Sequence, residues 1–535
     1  MLFRTWLHLL LIAALSVPSA GDAVCSAEGQ CSPDSAVAEH YWPHTRGKVG
    51  QYGVSPHRGP RNLSTASRWT WHHPNGRFGT APVGSVIDNQ KNIYTSSIQG
   101  LYKLSPDGRL LWTADIKSSA TPVLEKDTLY VSAKNGYLHA VNMKTGELIW
   151  SVKVTDEISP DNHAIGVHMG VLITPTDGIF TGGSKMVKAV STASGDALWE
   201  FEPHNQLWNF IPYFTDNGTF VFQDQIGGVY HLKVSDGTLL WKSGYTAAWG
   251  DHWTDGTMML AQHIGANGMV YVVHLPTPEN KFTPHTAGTV SAYRLSDGEM
   301  VWRQEVPFPP NSQPLAVKNG KKYSVVMPIG AQAAFPWWLV ALGGVAIGAL
   351  QGCLCGFLCG LMCCCCFRSA RTPSKFAIRM CYGLLIGGLL VGGLAFRGTS
   401  QAALLWAPSF PAELWTFDAE TGELQWKWAL PSHSYRWCAG DLEGLFTRLT
   451  MLQIPPMCIP TPYSAPSADA DGTIYIGYMD GKAYAISDLN GDNVIDDRTE
   501  VSVADIESAS NLPGTAMAPG MMVFTTCDGV HAFIE

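Results

Sequence analysis

The chain has 535 residues, of which only 15% are charged, with 54 Gly, 19 Trp and a formal net charge of −9. That length holds several average domains or one large repeat architecture, and the Gly- and Trp-rich mixture suits all-β structure with many tight turns. The mild negative charge, with no basic tract beyond one short loop, argues against a nucleic-acid partner.

At the N-terminus, Arg4 precedes an apolar run that ends in small residues at Ser19, Ala20 and Ala23. This is the pattern of a secretory signal peptide over residues 1–23, with an uncleaved anchor as the alternative. An N-terminal extracellular segment over 24–60 follows. Cys25 with Cys31, and Cys438 with Cys458, are plausible disulfide pairs in an oxidising compartment, with Cys527 left over. Two sequons, Asn62-Leu63-Ser64 and Asn217-Gly218-Thr219, are glycosylation candidates on a secreted chain.

From residue 61 the chain repeats itself about every forty residues. Strand-like alternation leads into a Gly-containing turn, then a short strand closed by Trp, at Trp112, Trp150, Trp199, Trp241, Trp302 and Trp426. Turns such as Thr145-Gly146 and Asp236-Gly237 need φ > 0, and each Trp would wedge between one sheet and the next. The unit at 464–488 has the same layout without the Trp, and the last segment supplies three strands and stops. A lone early strand, SRWTWHH with Trp69 and Trp71, offers the missing fourth, so the ring is expected to close through the chain ends.

The repeat breaks between Val326 and Trp415, where no acid occurs from Val306 to Ala412. Apolar segments at about 335–367 and 381–396 predict two membrane spans, the second short enough to need Arg379 and Arg397 to snorkel. An even number of crossings returns both halves of the interrupted blade to one side. The loop between them carries Arg368, Arg371, Lys375 and Arg379, which assigns it to the cytoplasm and the repeats to the outside. Gly344, Gly348, Gly352, Gly356 and Gly360 form a groove for helix packing, within the hairpin or between two chains as a homodimer. Cys363, Cys364, Cys365 and Cys366 beside those basic residues are candidates for palmitoylation, with unmodified lipid-facing thiols as the alternative.

One loop has metal-ligand spacing. Asp488, Asn490, Asp492, the Val494 carbonyl and Asp496 fall at positions 1, 3, 5, 7 and 9, a set suited to calcium. Asn493 stands where a calcium loop has Gly, and Thr499 where it has Glu. The alternative is a solvated acidic hairpin loop. Asp469 and Asp471 read as turn residues, and His163, His168 and His252 as core or loop histidines.

The Trp-closed units resemble the pyrroloquinoline-quinone (PQQ)-type repeat, roughly A-x-D-x-x-T-G-x-x-x-W, from Trp69 to the C-terminus apart from the insert. The resemblance implies an all-β propeller of seven or eight blades, eight being favoured. Its parts are 61–330 and 401–535, with the transmembrane helical hairpin at 331–400 inserted in one blade. Dehydrogenases of this class use a disulfide between adjacent cysteines, a stacking Trp and a catalytic Asp near calcium. The repeat region has no adjacent cysteines, so no active site carries over and a PQQ cofactor is not expected. Two functions are left: a non-enzymatic scaffold binding protein or carbohydrate at a propeller face, or a quinone-dependent sugar or alcohol dehydrogenase with a diverged site.

Overall fold

A computed structural model describes residues 39–79, 83–118, 120–156, 164–176, 186–207, 210–224, 227–244, 258–260, 268–274, 287–319, 322–330, 411–433, 438–451 and 463–535. The chain divides into Met1–Glu39 and His40–Glu535, and the fold below belongs to the second unit. Its strands form eight four-stranded antiparallel sheets, each a blade of the propeller, plus a small two-stranded hairpin. Blade 1 is Ser85–Ile87, Ile93–Ser97, Gly100–Leu104 and Leu110–Ala114. Blades 2 to 7 follow in order over 123–153, 166–201, 213–244, 258–306, 315–429 and 467–505.

Blade 8 settles the count at eight. Ser510–Ala518, Met521–Thr526 and Gly529–Ile534 supply three strands, and Ser67–His72 pairs with the last as the fourth. Trp69 faces Ala532 across that seam, so the chain ends lock the ring. Closure completes the last blade, so that only the short, protected edges common to every blade are left.

Burial runs from the axis outward. The first strand of blade 1 is wholly buried, and its fourth, Leu110–Ala114, alternates between exposed and half-buried residues. The central half-buried position in that outer strand is the Trp, and the structure shows what it covers. Trp112 lies over Gly146 of blade 2 and donates its indole N–H to the Met143 carbonyl, 3.1 Å away. Trp69, Trp150, Trp199, Trp241 and Trp302 repeat the arrangement on Pro106, Thr192, Val234, Leu295 and Ala419, at 2.7–3.0 Å. The covered glycine is required twice. At Gly146 φ is +78°, and a Cβ there would sit 3.0 Å from the indole of Trp112. A β-bulge precedes each of these turns in the third strand, as at Ala140/Val141.

The blade that lacks a closing Trp now has a reason. The outer strand of blade 7, Val501–Asp505, faces the place where blade 8 has chain ends instead of a turn. Arg68 fills that seam, donating to the Asp505 carbonyl at 2.9 Å.

Between blades 6 and 7 the chain forms a helix, α1 (Asp441–Thr450), held by buried Arg448, which donates to the Asp441 carbonyl at 3.2 Å. The 331–400 hairpin expected from the sequence lies outside the described residues, and among those residues no helix is long and apolar enough to cross a membrane. The strands that flank it are described. Gly330 pairs directly with Ala412, so the intervening segment leaves and returns at one point of blade 6.

Candidate functional site

The axis of a propeller is where a small ligand would be expected, and here the chain itself occupies one end of it. Residues 40–58 run across the inner strands on the side of the first-to-second-strand turns. Trp42 exchanges two backbone hydrogen bonds with Ile87 of blade 1, at 2.9 and 3.0 Å. The Pro43 carbonyl accepts from Leu124 of blade 2 at 2.9 Å, and His44 bonds through Nε2 to the Val167 carbonyl of blade 3 at 3.0 Å. Burial lowers the His44 pKa to about 4, so the imidazole is neutral near pH 7 and donates that bond. The segment then turns back through the hairpin Gly47–Lys48 and Gln51–Tyr52. The Tyr52 hydroxyl accepts from Phe214 of blade 4, Gly53 and Ser55 bracket Ala468 of blade 7, and Gly520 of blade 8 donates to Arg58. Six blades are thus tied to one strap.

The two faces of the ring differ accordingly. On the strapped face most turns are short, such as 126–127 in blade 2, 169–170 in blade 3 and 519–520 in blade 8. Several of these turns are braced by an aspartate whose carboxylate caps the turn amides and accepts from a tyrosine on the second strand of the same blade. Asp88 takes Gln90 and Asn92 N–H at 2.8 Å and Tyr94 at 2.9 Å, and Asp469 does the same with Thr473 and Tyr475. Asp469 is therefore a turn residue, as its sequence context predicts. The opposite face carries the long connections: 176–186, 275–287, the 331–411 segment and the passage through α1. Length variation on one rim is how a rigid scaffold presents recognition elements.

The loop with calcium-like spacing is the third-to-fourth-strand turn of blade 7, where blades 1 to 6 have a short turn built on a glycine. Asp488 accepts from Gly491 and Asn493 N–H at 2.8 and 3.1 Å, and Asp492 from Val494 at 2.8 Å. Asn490 accepts from Asp492 N–H at 2.9 Å, and Asp496 from Arg498 N–H at 2.8 Å. Asn493 has φ of +63°, the left-handed backbone its type tolerates. Sequence reading missed Glu500, which is buried and caps Leu489 and Asp496 N–H at 2.7 and 2.9 Å. The acids therefore accept from the loop's own amides, and no three His, Cys, Asp or Glu side chains among the described residues form a metal group. Trp428 of blade 6 seals the loop by donating to Asp497 at 2.6 Å.

Of the sequons, Asn62 and Asn217 are both exposed and sit in turns. The cysteine pairing needs correcting: Cys438 is a buried thiol, its pKa pushed up by desolvation, and Cys527 is the disulfide-bonded one. Spacing along the chain could not show this, because it says nothing of which Cβ vectors face each other. Cys25, Cys31, Cys458, Cys363, Cys364, Cys365 and Cys366 lie outside the described residues, as do His163 and His252. His168 ends the inner strand of blade 3 against Phe214, 5.4 Å between ring centres.

The family model described as outer membrane protein assembly factor BamB matches residues 98–251 and 183–325. A BamB from Burkholderia pseudomallei (strain K96243) is 22% identical over 207 residues, 38% of this chain and 47% of that protein. The chain thus spans about half the length of the curated relative it matches. Among solved structures, quinohaemoprotein alcohol dehydrogenase from Comamonas testosteroni aligns with a TM-score of 0.55 at 13% identity, covering 94% of this chain and 81% of that one. A second such enzyme, from Pseudomonas putida HK5, gives 0.53 at 12% identity, over 93% of this chain and 80% of that one. The chain carries a PQQ-like repeat propeller.

The adjacent-cysteine disulfide of the dehydrogenases has no counterpart in the blades of this PQQ-like propeller. Adjacent cysteines occur only at 363–366, in the insert rather than the blades. Trp42 is buried against Ile87 as part of the strap.

Proposed function

We propose that this chain is a membrane-tethered, non-enzymatic PQQ-like propeller of the secretory pathway, which holds a protein or carbohydrate partner on the face bearing its long connections. One observation carries the reading: residues 40–58 strap one end of the axis to six blades, removing the channel as an open ligand site. Binding then falls to the rim opposite. The hairpin proposed for 331–400 departs from that same rim, so the binding face would be the membrane-proximal one. A BamB is named for outer membrane protein assembly, and that likeness agrees with a scaffold role.

The second reading, a quinone-dependent dehydrogenase, is favoured by the fold alone. Purified chain incubated with PQQ and Ca²⁺ separates them. The scaffold reading expects no quinone retained through gel filtration and no dye reduction with alcohols or aldoses. Turnover with any of these would overturn it. The tether is tested by tagging 368–379 in intact cells. Labelling only after permeabilisation is expected, and labelling from outside would contradict the hairpin.

A further inference from the structure

Arg46, in the strap, is among the largest side chains taken wholly out of solvent, at 1% exposure. Its Nη1 donates to the Pro466 carbonyl of blade 7 at 2.7 Å, and the guanidinium is hydrogen-bonded to Tyr213 of blade 4. Its Nε and Nη2 meet no acceptor among the described residues, and no carboxylate pairs with it there. The Tyr213 hydroxyl in turn donates to Gln313 Oε1 at 3.1 Å, which leaves the buried Nε2 of Gln313 without an acceptor as well. Tyr213 therefore bridges two groups whose remaining atoms are all donors. Two residues from Gln313, buried Asn311 has an amide with neither atom partnered among the described residues.

A guanidinium withdrawn from water without a counter-charge is among the costliest arrangements a core can hold, and leaving its N–H groups unpaired adds to that. Arg448, the other fully buried arginine, shows the ordinary solution, with Asp441 at 3.4 Å and two backbone carbonyls. Arg46 has the same burial without the acid. Gly53 closes over it: φ is +78°, and a Cβ there would lie 2.6 Å from Nη2, so the strap is shaped around the cation. From these donors we infer that the strapped end of the axis binds one small monovalent anion, a halide or a carboxylate group, between Arg46 and Gln313. The set carries a single positive charge, which excludes a dianion such as phosphate.

The test is thermal unfolding of the full chain in detergent, in a buffer whose anion is a bulky sulfonate, titrated separately with chloride, bromide and acetate. A saturable rise in Tm of about 3 °C or more is expected for at least one of them. A response to halides alone assigns a free ion, and a response to acetate alone assigns the carboxylate of an organic acid. Arg46→Met should abolish the response. Gln313→Glu supplies the missing acid from the protein itself, so it should raise Tm in the sulfonate buffer and no longer respond. Crystals soaked in bromide should show anomalous density at Arg46 if the halide arm holds. An unchanged Tm with all three anions, an equal response in Arg46→Met, or a lower Tm for Gln313→Glu in sulfonate would each overturn the proposal.

Discussion

Trp302→Ala is expected to destabilise the propeller by about 3–5 kcal/mol, the range for emptying a buried tryptophan site. The indole is 7% exposed, lies over Gly422 of the next blade and donates to Ala419 at 3.0 Å. Removing it leaves a cavity between blades 5 and 6 and takes from the Ala419 carbonyl one of its two donors, the Tyr271 hydroxyl at 3.0 Å being the other. Gly422→Ala attacks the same seam from the other side, since φ there is +74° and a Cβ would fall 2.6 Å from the ring. The two substitutions share one contact, so together they should cost less than their sum. Leu148→Ala on an outer strand, 56% exposed, should change stability by no more than about 0.5 kcal/mol. Denaturant melts of the four variants check this ordering. Equal losses for Trp302 and Leu148 would show that the seam is not what joins the blades.

Asp528→Ala is the second large effect, about 3 kcal/mol, because it removes a buried carboxylate that gathers several hydrogen bonds at the ring closure, although Arg77 keeps Glu507 at 2.9 Å. Asp528 is fully buried in a turn of blade 8. It accepts from Arg77 Nε and Thr526 Oγ1, each at 2.6 Å, with His531 at 3.4 Å. Arg77 follows the closing strand Ser67–His72, so the pair ties the two chain ends in a second way. Burial pushes the carboxyl pKa up, but His531, Thr526 and Arg77 outweigh it and hold the value at about 2. A folded pKa below the ordinary 3.8 means the contribution is complete above about pH 4 and fades as pH falls through 2. Its size is about 2 kcal/mol. The stability gap between wild type and Asp528→Asn should therefore narrow between pH 4 and 2. A gap that stays constant across that window would contradict the assignment.

What could be read from the chain and what could not divide along a physical line. The Trp–Gly seam is written locally, four residues apart in each unit, and its partner glycine recurs one period later. The closing strand was visible for the same reason, since Trp69 is the Trp that blade 8 otherwise lacks. The strap carries no period. Its meaning lies in Trp42 meeting Ile87, Arg46 meeting Pro466 and Tyr52 meeting Phe214, pairs 45 to 420 residues apart that no local pattern announces. Its three glycines, at 47, 50 and 53, all with positive φ, were the available hint of a tightly folded segment. The loop at 488–496 was legible in its turn chemistry, down to the left-handed Asn493, but not in the cap from Glu500, one residue beyond the expected position. The disulfide assignment failed because Cys438 and Cys458 are near in sequence, whereas the fold makes Cys527 the bonded cysteine.

The reading of function turns on the strap being a permanent part of the axis. Hydrogen exchange of the purified full chain tests this directly, through the amides of Trp42 and Ser55 in the strap and of Ile87, Leu124 and Ala468 beneath it. If the strap is structural, these amides exchange as slowly as those of inner strands such as Ile93–Ser97, through global opening. Rapid exchange of Trp42 and Ser55 while the inner strands stay protected would mean an open channel, and the case for a scaffold would lose its main support.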